Sequence, residues 1–229
     1  MNLLLILLQS EFPVEIVREE SYFSLLMKGG WILLPLFALL LLSVAIMIER
    51  WLVIGKAKSK DNLWLNHIFE LISEGKITKA RLLCSEIQHA SAKVIAVGLD
   101  AADTNSIEEI QENMQLEGRQ EASRLETGLN YLGITASIAP MLGFLGTIFG
   151  VINIFYHISV TNDLSIATIS DGLYQKMICS GVGLFVGIIA YTGYYILNGK
   201  IDVIVGRIEK DSNEVLKTLR KYKKQPVEL

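Results

Sequence analysis

Tyr131–Phe155 reads YLGITASIAPMLGFLGTIFGVINIF. Its 25 residues include no Asp, Glu, Lys, Arg or His. A helix of that length crosses the hydrocarbon core of a bilayer. It is not the uniform Leu/Ile helix that lipid alone would favour. Ala136, Ala139, Gly143, Gly146 or Thr147, and Gly150 recur at spacings of three and four, which places them on one face. A membrane helix with a small-residue face expects another helix against it. Thr147 adds one hydroxyl to that face.

Two further apolar blocks have bilayer length. One runs from Trp31 to Ile48 and extends towards Ile54 past Glu49 and Arg50; the other is Met177–Leu197. Trp31 and Trp51 bracket the first, as interfacial aromatics do. The overall hydrophobic fraction of 51% and mean hydropathy of +0.41 are only suggestive; the clumping decides the class. The expected fold is an all-α integral membrane protein with three transmembrane helices. Long cytoplasmic extensions of the second and third form a bundle, which leaves no room for a large catalytic domain.

Lys and Arg fix an expected topology. They cluster after the first block (Arg50, Lys56, Lys58, Lys60) and after the third (Lys200, Arg207, Lys210, Lys217, Arg220, Lys221, Lys223, Lys224). The stretch His157–Gly172 has none. The positive-inside rule then puts the N-terminus outside and the C-terminus in the cytoplasm. The chain divides into an outer N-terminal segment (1–30), a first span (31–54), a cytoplasmic helical loop (55–105) and a long helix containing the second span (106–157). An outer loop (158–172), a third span with its extension (173–222) and a tail (223–229) follow. Met1–Leu8 reads as a short interfacial segment, with a weak signal peptide as the alternative.

Within the loop, Asp61 is placed to cap a helix to about Ser73, with Leu65, Ile68, Phe69 and Ile72 inward. A second helix, about Thr78–Gln88, turns Ala80, Leu83, Cys84 and Ile87 inward. A third starts near Ser91 and carries Val94, Ile95 and Leu99. Ser106-Ile-Glu-Glu109 has the form of a capping box. No proline follows until Pro140, so one uninterrupted helix from Ser106 to about His157 is expected. Past the third span, Ile201, Ile204 or Val205, Ile208, Val215 and Leu219 continue a helical stripe.

Spans two and three carry no acidic residue or histidine at their centres, so the chain does not bring its own carboxylate to a proton path. They offer hydroxyls instead. Lys176, Ser180, Gly183 and Gly187 share a face of the third span, and Thr147 lies near Gly143 and Gly150 in the second. Each has a plainer reading. A membrane Thr or Ser commonly bonds its own helix backbone. The glycines serve packing, and Lys176 snorkels to the outer edge. His67, His89 and His157 are scattered, and Cys84 and Cys179 fall on opposite sides of the expected topology. Hence no metal, cofactor or catalytic residue is expected, and the basic tail reads as a topology or lipid signal.

Ala139-Pro-Met-Leu-Gly-Phe-Leu-Gly-Thr-Ile-Phe-Gly150 resembles the A-P-x-x-G-x-x-G-T-x-x-G motif of the ExbB/TolQ/MotA proton-channel family, ExbB and TolQ most closely. Ile169–Leu184 is more loosely similar to the family's third-span motif. The resemblance covers roughly residues 20–220. It implies an inner-membrane homopentamer whose pore is lined by spans two and three. Inside sits an ExbD- or TolR-like single-span partner that brings a membrane aspartate. The assembly passes work to a TonB-like protein for outer-membrane import, or to a TolA-like protein for envelope maintenance.

Under that resemblance, Thr147 and Ser180 line the proton pathway, with Gln175 and Lys176 at the pore mouth. Ala139, Pro140, Gly143, Gly146, Gly150, Gly183 and Gly187 pack the helices. Many family chains have a glutamate early in span three, where this chain has Gln175 followed by Lys176. Either that glutamate is dispensable, or Lys176 pairs with an acidic group of the partner. The competing class is a non-conducting scaffold whose bundle organises partners.

Overall fold

The computed structural model describes residues 31–57, 63–161 and 166–224. Every described element is α-helical. The helices are α1 (Leu33–Ala57), α2 (Leu63–Ser73), α3 (Ile77–Glu86), α4 (Ala90–Asp100), α5 (Ile107–Glu126), α6 (Leu129–Thr161) and α7 (Ile166–Lys224). Three of them, α1, α6 and α7, are long and apolar enough to cross a membrane. The expected segment Met1–Leu8, the Asp61 cap and the end of the tail lie outside the described residues.

α7 is a single helix of 59 residues, which at about 1.5 Å per residue reaches well beyond any bilayer. Its distal half joins α2–α5 in an extramembrane bundle. The core holds the residues whose periodicity marked them. Ile68, Ile72, Ala80, Cys84, Val94, Ile95, Leu99, Ile201, Ile208, Val215 and Leu219 are all buried there. Phe69 and Leu83 pack only partly against it. Burial in this apolar core pushes the Cys84 thiol up to about 12.

The start of α5 follows from its sequence. The Ser106 side chain accepts from the Glu109 N–H, and the Glu109 carboxylate accepts from the Ser106 N–H at 2.9 Å.

Two expectations need correction. The helix beginning at Ser106 does not run unbroken into the second span. It stops at Glu126 and restarts at Leu129, because Gly128 takes φ +87°. That left-handed conformation is open to glycine and costly for other residues. The Arg50 side chain lies over the turn, its Nε 3.1 Å from where a Cβ on Gly128 would sit. The loop expected over 158–172 is also shorter. α6 continues to Thr161 and α7 starts at Ile166, so both helices extend into the stretch expected to be loop.

Two buried carboxylates sit in the bundle. Glu121 accepts from Lys93 Nζ at 3.2 Å on both oxygens and pairs with Arg124. Asp211 on α7 is buried, and burial raises its pKa against the opposing hydrogen bond from Ser91 and the charge of Arg207. A raised folded value means that Asp211 favours folding most below the ordinary 3.8. That contribution declines as pH rises through the folded value.

Asp211→Asn should therefore raise the thermal stability of the protein at neutral pH, with the gain vanishing towards acid. Unfolding curves across pH test this, and a less stable variant at neutral pH would refute it. Gly128→Ala should cost about 1–2 kcal/mol from the left-handed backbone alone, read as a lowered unfolding midpoint.

Candidate functional site

α6 and α7 make the most extensive helix pair in the molecule. On α6 the buried residues across the span are Ala139, Gly143, Gly146 and Gly150. They meet Cys179, Gly183, Val186, Gly187 and Ala190 of α7, all of them buried. The approach is at backbone level. A Cβ on Gly143 would lie 2.9 Å from the Cys179 carbonyl oxygen and 3.1 Å from the Ser180 Cα. A Cβ on Gly183 would lie 2.6 Å from the Ala139 carbonyl oxygen and 2.8 Å from the Gly143 Cα. Backbone atoms cannot move aside as a side chain can.

Pro140 is accommodated in the same way. Its ring nests on Gly187, where an added Cβ would lie 2.6 Å from Pro140 Cγ. Proline has no N–H, so the Ala136 carbonyl loses its helical partner. That carbonyl lies against Gly187 as well. At the other end of the seam, the aliphatic stem of Lys176 crosses Gly150, in space that a side chain there would fill. Lys176 thus belongs to the seam along its stem. Gln175 lies in α7, with its side chain outside those described.

α1 covers one flank of this pair. Ile32, just ahead of α1, borders Gly146, while Leu36 packs with Ala139 and Val186, and Met47 abuts Gly193. The opposite flank is left open, and both hydroxyls lie on it. At about 100° per residue, Thr147 turns away from Gly146, and Ser180 lies about 60° from Gly183, both away from α1. Each is half-buried. The Thr147 hydroxyl donates to the Phe144 carbonyl oxygen at 2.6 Å, three residues back. The plainer backbone reading therefore describes its proton, while its oxygen lone pairs remain available to accept. Tyr191 and Tyr195, not singled out from the sequence, stand on this flank too, with ring centroids 4.5 Å apart. Their spacing of eleven and fifteen from Ser180 was the available signal.

A multi-pass membrane subunit emerges, with a tightly packed pair of spans and a mildly polar open flank. Residues 80–210, more than half of the chain, match the model of the MotA/TolQ/ExbB proton channel family. The chain belongs to that family, and so is a transport protein and not an enzyme. It is 24% identical over 209 residues to the Tol-Pal system protein TolQ of Haemophilus influenzae, covering 84% of this chain and 89% of that one. TolQ of Pseudomonas aeruginosa is 27% identical over 101 residues, 44% of each chain. A putative biopolymer transport protein, an ExbB homolog of Methanothermobacter thermautotrophicus, is 29% identical over 140 residues, 61% of this chain and 49% of its own. The chain thus spans about half the length of these last two relatives.

Gly183→Ala should disrupt the seam, whereas Gly181→Ala should not, because nothing lies within 4 Å of a Cβ at Gly181. Unfolding midpoint and oligomer mass of the two purified variants make the comparison. Equal behaviour would mean that the backbone contact at Gly183 is not limiting.

Proposed function

We propose that this chain is the channel-forming subunit of a motor driven by the proton motive force, built as a homopentamer around an ExbD- or TolR-like single-span partner. The observation that carries the reading is the open flank. It presents two hydroxyls, Thr147 and Ser180, beside a seam of small residues, in spans with no carboxylate of their own. The partner supplies the titrating aspartate. The small residues let its helix come close to α6 and α7.

The hydroxyl chemistry fits an acid that changes protonation state. When the partner's carboxyl is protonated it donates, and the Thr147 oxygen accepts while its own proton stays on the Phe144 carbonyl. When the carboxyl is ionised it needs a donor, and the Thr147 hydroxyl rotates off Phe144 to supply one. Ser180 serves the same acid from α7. Lys176 and Gln175 stand at the outer mouth, Lys176 balancing negative charge on the partner. The chain lies in a bacterial inner membrane, its N-terminus periplasmic and the α2–α5 bundle cytoplasmic, as the Lys and Arg distribution supports.

The work is delivered to a TonB-like protein for outer-membrane import, the reading in line with the similarity to ExbB-named relatives. The near full-length similarity to Haemophilus influenzae TolQ favours a second reading, envelope maintenance through a TolA-like protein.

Native mass spectrometry of the complex from host membranes tests the assembly. Five copies with a small partner carrying a membrane aspartate are expected, and the partner's identity separates the two systems. In proteoliposomes, Thr147→Val should cut proton flux by about tenfold or more, with pentamer mass unchanged. Ser180→Ala should cut it less. Full flux in Thr147→Val would favour a non-conducting scaffold.

A further inference from the structure

The open flank of α7 does not end at Ser180. Eleven residues on, about 20° further round the helix and about 16 Å along it, stands Tyr191. Tyr195 follows one turn later, about 60° round from Ser180. Their ring centroids are 4.5 Å apart with planes inclined at 48°. Tyr194 touches Tyr195 edge-on, at 5.3 Å between centroids, but turns towards α6, where it borders Gly133.

Both tyrosines lie within the apolar block Met177–Leu197. They are not simply an aromatic belt facing lipid. Such residues sit at the headgroup level, whereas Lys200, whose Nζ lies over the Trp51 ring, marks that level on α7. Tyr191 is nine residues, about 13 Å, deeper than Lys200. Helical side chains lean towards the N-terminus, so both hydroxyls reach back up the helix in the direction of Ser180. A phenol hydroxyl both donates and accepts. In hydrocarbon a hydroxyl without a partner is costly, and rings packed this closely make each phenol the natural partner of the other.

We propose that Tyr191 and Tyr195 form the inner step of the proton path, holding water between the level of Ser180 and the cytoplasmic mouth and relaying protons across it. This rests on the channel reading above. In the relay, the Tyr191 oxygen accepts a proton from a hydronium ion on its outer side, leaving water there, and gives up its own hydrogen to Tyr195. Tyr195 releases its hydrogen to water on the inner side. Each phenol ends neutral, and one proton has moved inward. Rotation of the two hydroxyls resets the pair.

The test uses the complex with its native partner, reconstituted in liposomes, with flux read by an internal pH dye under an imposed potential. Tyr191→Phe/Tyr195→Phe keeps both rings and removes both hydroxyls. It should lower flux about tenfold, with copy number and partner retained. Tyr195→Gln on Tyr191→Phe, which returns a hydrogen-bonding group, should recover part of the flux. Tyr194→Phe should leave flux unchanged. Full flux in the double Phe variant, with Thr147→Val still blocked, would overturn the tyrosine step and leave the channel reading standing. A flux drop accompanied by loss of the partner, or no recovery with Gln, would assign the pair to packing and overturn it too. Absence of flux in the parent complex would overturn both.

Discussion

Backbone contact between α6 and α7, centred on Gly143 and Gly183, is the constraint on which the membrane half of this protein depends. A bilayer gives two apolar helices no hydrophobic reason to associate, because lipid tails are as apolar as leucine. What remains is dispersion, which falls off steeply with separation. Glycine and alanine at the crossing let the helix backbones themselves touch. The contact also fixes the rotation of each helix about its axis. Once Ala139, Gly143 and Gly183 face each other, α1 can close one side through Leu36, with Ile32 just ahead of it, and Thr147 and Ser180 must share the other.

The extramembrane bundle obeys different physics. Water drives its assembly, and Ile68, Ile95, Leu99, Ile110 and Leu219 bury their apolar surface there almost completely. Two carboxylates are drawn into that interior. Glu121 is compensated by Lys93 and Arg124, while Asp211 is held by Ser91 and the Arg207 charge at some desolvation cost. The two halves are joined in two ways. α7 passes through without a break, so a rotation of its membrane part is felt along its whole length. α5 and α6 are instead joined by the Thr127–Gly128 turn, under Arg50 of α1.

The chemistry of the open flank is that of neutral hydroxyls. In the proposed channel, such groups would bias and relay a proton without storing a charge in the membrane, which avoids the cost of burying an ionised group in hydrocarbon. In the function proposed above, the titrating group comes from another chain, and this subunit's own part is geometric. It holds acceptors and donors at fixed heights along a close-packed pair of helices.

Much of this was legible in the residues. The three spans follow from apolar length, the start of α5 from its capping box, and the bundle core from a helical repeat carried beyond the third span. The small-residue stripe of Tyr131–Phe155 announced a close helix partner. Other features were not legible. Between Ser106 and His157 every segment favours helix, and absence of proline argued for continuity, yet Gly128 adopts a left-handed conformation that depends on how α5 must turn into the bundle. Lys176 read as a snorkelling side chain, while its stem rests in the notch of Gly150, a contact between residues 26 apart. Sequence by itself determined which residues share a face, because periodicity is a property of one helix about its own axis. Only the tertiary structure decided which neighbour covers that face and which flank stays open, because that choice is made by contacts between residues distant in the chain.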